Sequence, residues 1–121
     1  MIGYLSYKQL PKMKEETEEL EHGLQRVDAI MQAWGFTNHD LVLAAAPEQL
    51  THKQVQRARS GRRLTLSMMQ KVTRILNAAI VERLEDDEME RFVPYMHRDL
   101  FSYAKGFAAD WADPNCSLYP R

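Results

Sequence analysis

WGFTNHDLVLAAAPEQLTHKQVQRARSGRRLTLSMMQKVTRILN, Trp34 to Asn77, is the stretch that decides the fold, because three helix starts and three stops are written into it. Thr37-Asn38-His39-Asp40 is a capping box with Asp in place of the usual Glu or Gln. Thr51-His52-Lys53-Gln54 fits the box fully, and Thr65 precedes LSMMQKVTRILNAAIVERL. Gly35 and Gly61 stand where glycine closes a helix. Pro47 stops the apolar run Leu41–Ala46, because the residue before proline is pushed out of the α region. The stretch therefore predicts a short apolar helix over 41–46, a polar helix over 51–60 and a long helix from Leu66. The apolar face of the long helix is Leu66, Met69, Val72, Leu76, Ala79 and Ile80.

Upstream, Leu20, Leu24, Val27, Met31 and Trp34 recur at helical steps, predicting one helix through residues 14–34. Glutamates 15, 16, 18, 19 and 21 suit its N-terminal part through the macrodipole. Residues 1–12 show no period and read as an extended arm. Downstream, Asp86-Asp87-Glu88 suits a helix start, and Met89, Phe92, Val93, Met96, Leu100, Tyr103 and Phe107 keep helical spacing. Pro94 splits that pattern near Val93, and Gly106 is expected to end it. The tail from Trp111 reads as irregular, and no strand hairpin or internal repeat is found. The expected class is all-α. Its organisation is an N-terminal arm and start of the first helix over 1–18, a helical domain over 19–85, and a helical extension over 86–121.

With 121 residues, 45% hydrophobic and 27% charged, the composition is that of one ordinary globular domain. A single cysteine, Cys116, makes no internal disulfide and points to a reducing, cytoplasmic setting. No apolar run approaches the length of a membrane span, and MIGYLSYKQLPK does not read as a signal peptide. His22, His39, His52, His97 and Cys116 lack metal-ligand spacing, so no metal or cofactor is expected. No phosphate loop or nucleophile elbow is present, and the expectation is a protein that is not an enzyme.

The net charge of −1 conceals an asymmetry. Residues 49–81 carry Lys53, Arg57, Arg59, Arg62, Arg63, Lys71 and Arg74 and no acid, while both flanks are acidic. A local basic segment inside an acidic chain suggests a surface facing a polyanion. Two short helices joined by a turn, the second one basic, also form the arrangement that seats a recognition helix in the DNA major groove. By helical period the outward positions of the second helix are 52, 53, 56, 57 and 60. Arg57 suits guanine, Lys53 guanine or phosphate, Gln56 adenine, and His52 can donate or accept. Ser60, Arg62 and Arg63 suit phosphate contacts, and Thr37 with Asn38 could hold a further phosphate at a helix start. Arg59 is set apart as a partner for an acid on another helix, and Lys71 and Arg74 as solvated.

Residues Trp34–Asn77 resemble the lambda-repressor-like DNA-binding domains of the Cro/Xre type. Gly35-Phe36-Thr37 is similar to that family's glycine, apolar residue and Ser/Thr cap before its second helix. Leu41 and Val42 lie where the family has Leu-Ala. Val55, Ala58 and Gly61 fall on its two buried positions and terminal glycine, and RRLT on its basic linker. With the first helix, the resemblance covers roughly residues 19–80. It implies that His52, Lys53 and Arg57 read bases.

The expected function is a sequence-specific transcriptional regulator binding double-stranded DNA as a homodimer. The alternative is an antitoxin-like or adaptor module with a protein partner, a toxin or a regulator. Seven of eleven aromatics lie after residue 90, a surplus that suggests dimerisation through the C-terminal third.

Overall fold

A computed structural model describes residues 21–121. The expected arm and the start of the first helix lie outside the described residues. The described chain is all-helical: α1 (Arg26–Trp34), α2 (Asn38–Ala44), α3 (His52–Ser60), α4 (Leu66–Arg83), α5 (Asp86–Arg91), α6 (His97–Leu100) and a 3₁₀ turn over Cys116–Leu118. Among the described residues the one β feature is an isolated bridge between Glu21 and Arg62. None of the described helices is long and apolar enough to cross a membrane.

The start signals act as written. Thr37 Oγ1 accepts from the Asp40 N–H at 3.2 Å, while Asp40 Oδ2 accepts from the Thr37 N–H at 2.7 Å. Thr51 and Gln54 exchange the same pair of bonds at 3.1 and 3.0 Å. Thr65 caps α4 through the Met68 N–H. One continuous core then forms. Val27, Ile30, Met31 and Trp34 of α1 meet Leu41, Val55, Ala58 and the α4 face Met69, Val72, Ile75, Leu76, Ala79 and Ile80. Leu66, expected on that face, is 55% exposed at the first turn of α4.

The first helix is shorter than its apolar period predicts. It begins only at Arg26, and Leu24 is 76% exposed instead of buried. The backbone explains this. His22 and Gln25 donate their N–H groups to Gly61 O and Arg59 O, carbonyls at the C-terminal end of α3 that lack intrahelical partners. Residues 21–25 therefore serve as a cap for α3 and do not continue α1.

The segment 86–107 departs most from its helical spacing. Helix α5 stops at Arg91, the chain runs extended through Phe92–Met96, and α6 lasts one turn. Pro94 has no N–H to offer a helix. The groups beside it are taken by two asparagines. Asn115 donates to Val93 O and accepts from Val93 N–H, both at 2.9 Å, and Asn77 does the same for Tyr95, also at 2.9 Å. Each carboxamide thus replaces a ladder partner. Met89, Val93 and Met96, expected on an apolar helix face, are exposed, whereas Tyr95, Leu100, Phe101 and Ala104 join the core.

The aromatics are consumed within the chain. Trp34 is 2% exposed, meets Phe92 and Tyr119 edge-on, and donates its Nε1–H to the Tyr95 hydroxyl at 3.0 Å. Tyr95 donates in turn to Asp113 Oδ2 at 2.6 Å, and Tyr119 donates to the same oxygen. Arg26 lies over Phe107 and Trp111 and donates to the carbonyls of Asp99 and Ala108. Among the aromatics after residue 90, Tyr95 and Phe101 are buried and the other five half-buried, each touching another side chain of the same chain.

Replacing Asn115, which is wholly buried, with Ala removes both bonds to Val93. Asn115→Ala is expected to cost about 1–3 kcal/mol, the scale of an unsatisfied buried polar group, read as a lower denaturation midpoint at unchanged slope.

Burial, together with the bonds to Asp113, pushes the Tyr95 and Tyr119 hydroxyls well above 10.0. Because their folded values are raised, the stability they contribute is complete below pH ~10, where unfolded tyrosine titrates, and is lost as pH rises further. Melting temperature is expected to fall above about pH 10, and Tyr95→Phe to make that fall shallower.

Candidate nucleic-acid interface

Helix α3 presents His52, Lys53, Gln56 and Arg57 to solvent, while Val55 and Ala58 are wholly buried against the core. The face predicted from period is thus the exposed face. The packing of Val55 and Ala58 fixes which side chains turn outward.

Placing the seven cations of residues 49–81 in space changes the charge picture. Arg59 Nε bonds Asp28 Oδ1 of α1 at 2.7 Å, with both side chains 15% exposed. Arg62 pairs with Glu21 at 3.2 Å and Arg74 with Glu48 at 2.7 Å. Lys71 donates to Gln49 O. Arg63 lies over the Tyr103 ring, 5.4 Å from its centre. Acids from the flanking segments therefore neutralise much of the excess that the linear sequence shows. Lys53 and Arg57 have no ion-pair or side-chain hydrogen-bond partner among the described residues, and both project from α3. Arg74 is exposed, as expected, and Lys71 half-buried; both also bond the segment between α2 and α3, at Glu48 and Gln49.

The expected phosphate ligands divide. Arg62 and Arg63 follow Gly61 on the exposed surface, as anticipated. Thr37 is committed to its own helix. Its N–H and hydroxyl both bond Asp40 Oδ2, at 2.7 and 2.9 Å, and that carboxylate places negative charge where a phosphate would sit. The Thr37 N–H holds the Asp40 carboxyl below its ordinary value, against a smaller opposing effect of burial. Asn38 turns inward, donating to Gln56 Oε1 at 3.0 Å and accepting from Arg59 at 2.7 Å. Ser60 leans back onto Arg57 O at 3.4 Å. Thr37, Asn38 and Ser60 thus serve intramolecular bonds.

Two contacts at this surface have no signature in the sequence. His39 Nδ1 lies 3.1 Å from His52 Nε2. Ring centres 5.3 Å apart with planes within 11° put the rings edge to edge, nitrogen facing nitrogen. One ring donates and the other accepts, so His52 is positioned by α2. The second is a five-residue chain of bonds, Gln32–Asp28–Arg59–Asn38–Gln56, that reaches from α1 to the exposed face of α3. Only its Arg59 link is foreshadowed by a lone basic residue turned toward an acidic helix. Among the described residues no group of three or more His, Cys, Asp or Glu comes together as a metal site.

Comparison with protein-family models, curated proteins and solved structures finds no match to this chain.

Gly61 holds the loop that carries Arg62 and Arg63. Its φ of 102° suits glycine, and an added Cβ would lie 1.9 Å from the Gly23 carbonyl oxygen. Gly61→Ala is expected to cost roughly 1–3 kcal/mol and to free residues 21–23 from α3, read as a lower melting temperature and faster amide exchange at His22 and Gln25.

Proposed function

We propose that this chain is a sequence-specific DNA-binding regulator of the lambda-repressor-like, Cro/Xre helix–turn–helix type. In this reading α2 crosses the DNA backbone and α3 enters the major groove. The observation that carries the reading is the charge left over on α3. After ion pairs, a backbone bond and an aromatic ring have engaged the other cations of residues 49–81, Lys53 and Arg57 stand unengaged by any described residue on one exposed face. Asp28, Glu21 and Glu48 each pair with a cation, which reduces their opposition to a polyanion there. His52, Lys53 and Arg57 read base edges, and Arg62 and Arg63 hold phosphates, Arg62 exchanging its exposed pair with Glu21, a contact of the kind worth about 0–1 kcal/mol. Two copies on a two-fold site would supply the reach that one short helix lacks.

Selection of bound sequences from random DNA, followed by salt titration on the selected and on random duplexes, tests the proposal. Arg57→Ala is expected to cost about 1–3 kcal/mol on the selected site and far less on random DNA. Arg63→Ala is expected to weaken both alike and to flatten the slope of log K against log salt by about 0.9 for each phosphate no longer neutralised. Absence of salt-sensitive DNA binding would overturn the reading in favour of a protein-interaction module.

A further inference from the structure

The bond chain that ends on Gln56 has a direction, and the direction sets what α3 can read. Asp28 only accepts, and its two oxygens take the Gln32 amide and the Arg59 Nε–H, each at 2.7 Å. Arg59 only donates, so the atom of Asn38 that faces it at 2.7 Å must be Oδ1. Asn38 therefore turns Nδ2 toward Gln56, and the Gln56 atom meeting it at 3.0 Å must be Oε1. The amide orientations follow from the charges at the buried end, with no freedom to flip. Gln56 Oε1 is occupied, and its Nε2 has no partner among the described residues.

We infer that Gln56 turns its Nε2 donor to the DNA surface, and that it selects guanine over adenine. The inference rests on the helix–turn–helix reading above. A free glutamine pairs with adenine by accepting from N6–H and donating to N7 at once. With Oε1 drawn toward Asn38 and one of its lone pairs taken, the amide turns its Nε2 outward, where the N6–H of adenine would meet a donor. Guanine alone among the bases shows two adjacent acceptors, O6 and N7, to the major groove. Lys53 and Arg57, the exposed neighbours on the same helix, are pure donors. The face of α3 thus offers donors at 53, 56 and 57, which fits a guanine-rich half-site. Asn38 is a positioning residue here: it sets Gln56 from behind without touching the base.

The polarity can be reversed by one substitution. In Asn38→Asp the carboxylate still accepts from Arg59, and it also accepts from Gln56, which must then turn Nε2 inward and Oε1 outward. Gln56 becomes an acceptor suited to the exocyclic amine of adenine or cytosine. The test is selection from random DNA with the full chain in three forms: unmodified, Gln56→Ala and Asn38→Asp.

The position relaxed by Gln56→Ala is expected to be guanine in the unmodified protein, favoured over adenine by about tenfold, on the scale of one good base contact. Asn38→Asp is expected to replace guanine by adenine or cytosine at that position and to leave the other positions unchanged. Three results would overturn the inference: adenine at the Gln56-dependent position of the unmodified protein, no position that depends on Gln56, or the same base selected by Asn38→Asp when its melting curve shows it folded. If Asn38→Asp does not fold, the unmodified and Gln56→Ala pools decide alone. Pools no different from the input would overturn the DNA-binding reading itself, and this inference with it. An ordered site with the wrong base overturns only the inference.

Discussion

The ion pair between Asp28 and Arg59 is the constraint on which the exposed face of α3 depends. It joins the first turn of α1 to the last turn of α3 at 2.7 Å, and the same guanidinium reaches Asn38 at the start of α2. Three helices are thereby referenced to one planar group. At 15% exposure on both sides the pair is largely out of water, so each charge needs the other and the surrounding bonds to offset its desolvation. Geometry at such a pair is strict, and strictness is what a surface needs if its side chains are to meet a partner in fixed register. Hydrophobic packing through Val55 and Ala58 sets which way α3 faces. The ion pair, with residues 21–25 bonded to the final carbonyls of α3, sets where its end lies.

On the opposite side of the core, Trp34 plays the corresponding part for residues 86–121. Its ring is enclosed edge-on by Phe92 and Tyr119, and its N–H begins a chain through Tyr95 to Asp113. Asn77 and Asn115 supply backbone partners to an extended segment that lies against helices and has no neighbouring strand among the described residues. The C-terminal third is consequently part of the same core as α1–α4 and shares their stability.

The caps and stops were legible because they are local. Thr37, Thr51, Thr65, Gly35 and Gly61 each act within a few residues of themselves, and their spacing is visible in the chain. The buried faces of α3 and α4 followed from period for the same reason, apart from Leu66 at a helix end and the additional burial of Thr73 and Ile75. What the sequence did not disclose was non-local. Leu24 keeps a helical spacing, yet its backbone neighbours find better acceptors at the end of α3 than within their own segment. The spacing over 86–107 was overridden by two asparagines, one of them in the tail. The excess of seven cations was a property of the linear chain, and Glu21, Asp28 and Glu48 reduced it in space. In the candidate interface, the exposure of His52, Lys53, Gln56 and Arg57 was readable from period. The inward commitments of Thr37 and Asn38, the His39–His52 contact and the orientation of Gln56 were not, because each depends on a partner brought close by folding.

The enclosure of Trp34 also bears on how the protein is made. Tyr95, which takes the indole N–H, lies 61 residues further along the chain, and Tyr119 lies further still. During synthesis α1 is complete before Tyr95 and Tyr119 are added, so Trp34 at first lacks these two partners. Closing such long loops is entropically costly until many contacts form together, so these long-range contacts are expected to form late. The burial of Trp34 therefore depends on residues that lie outside α1–α4 altogether.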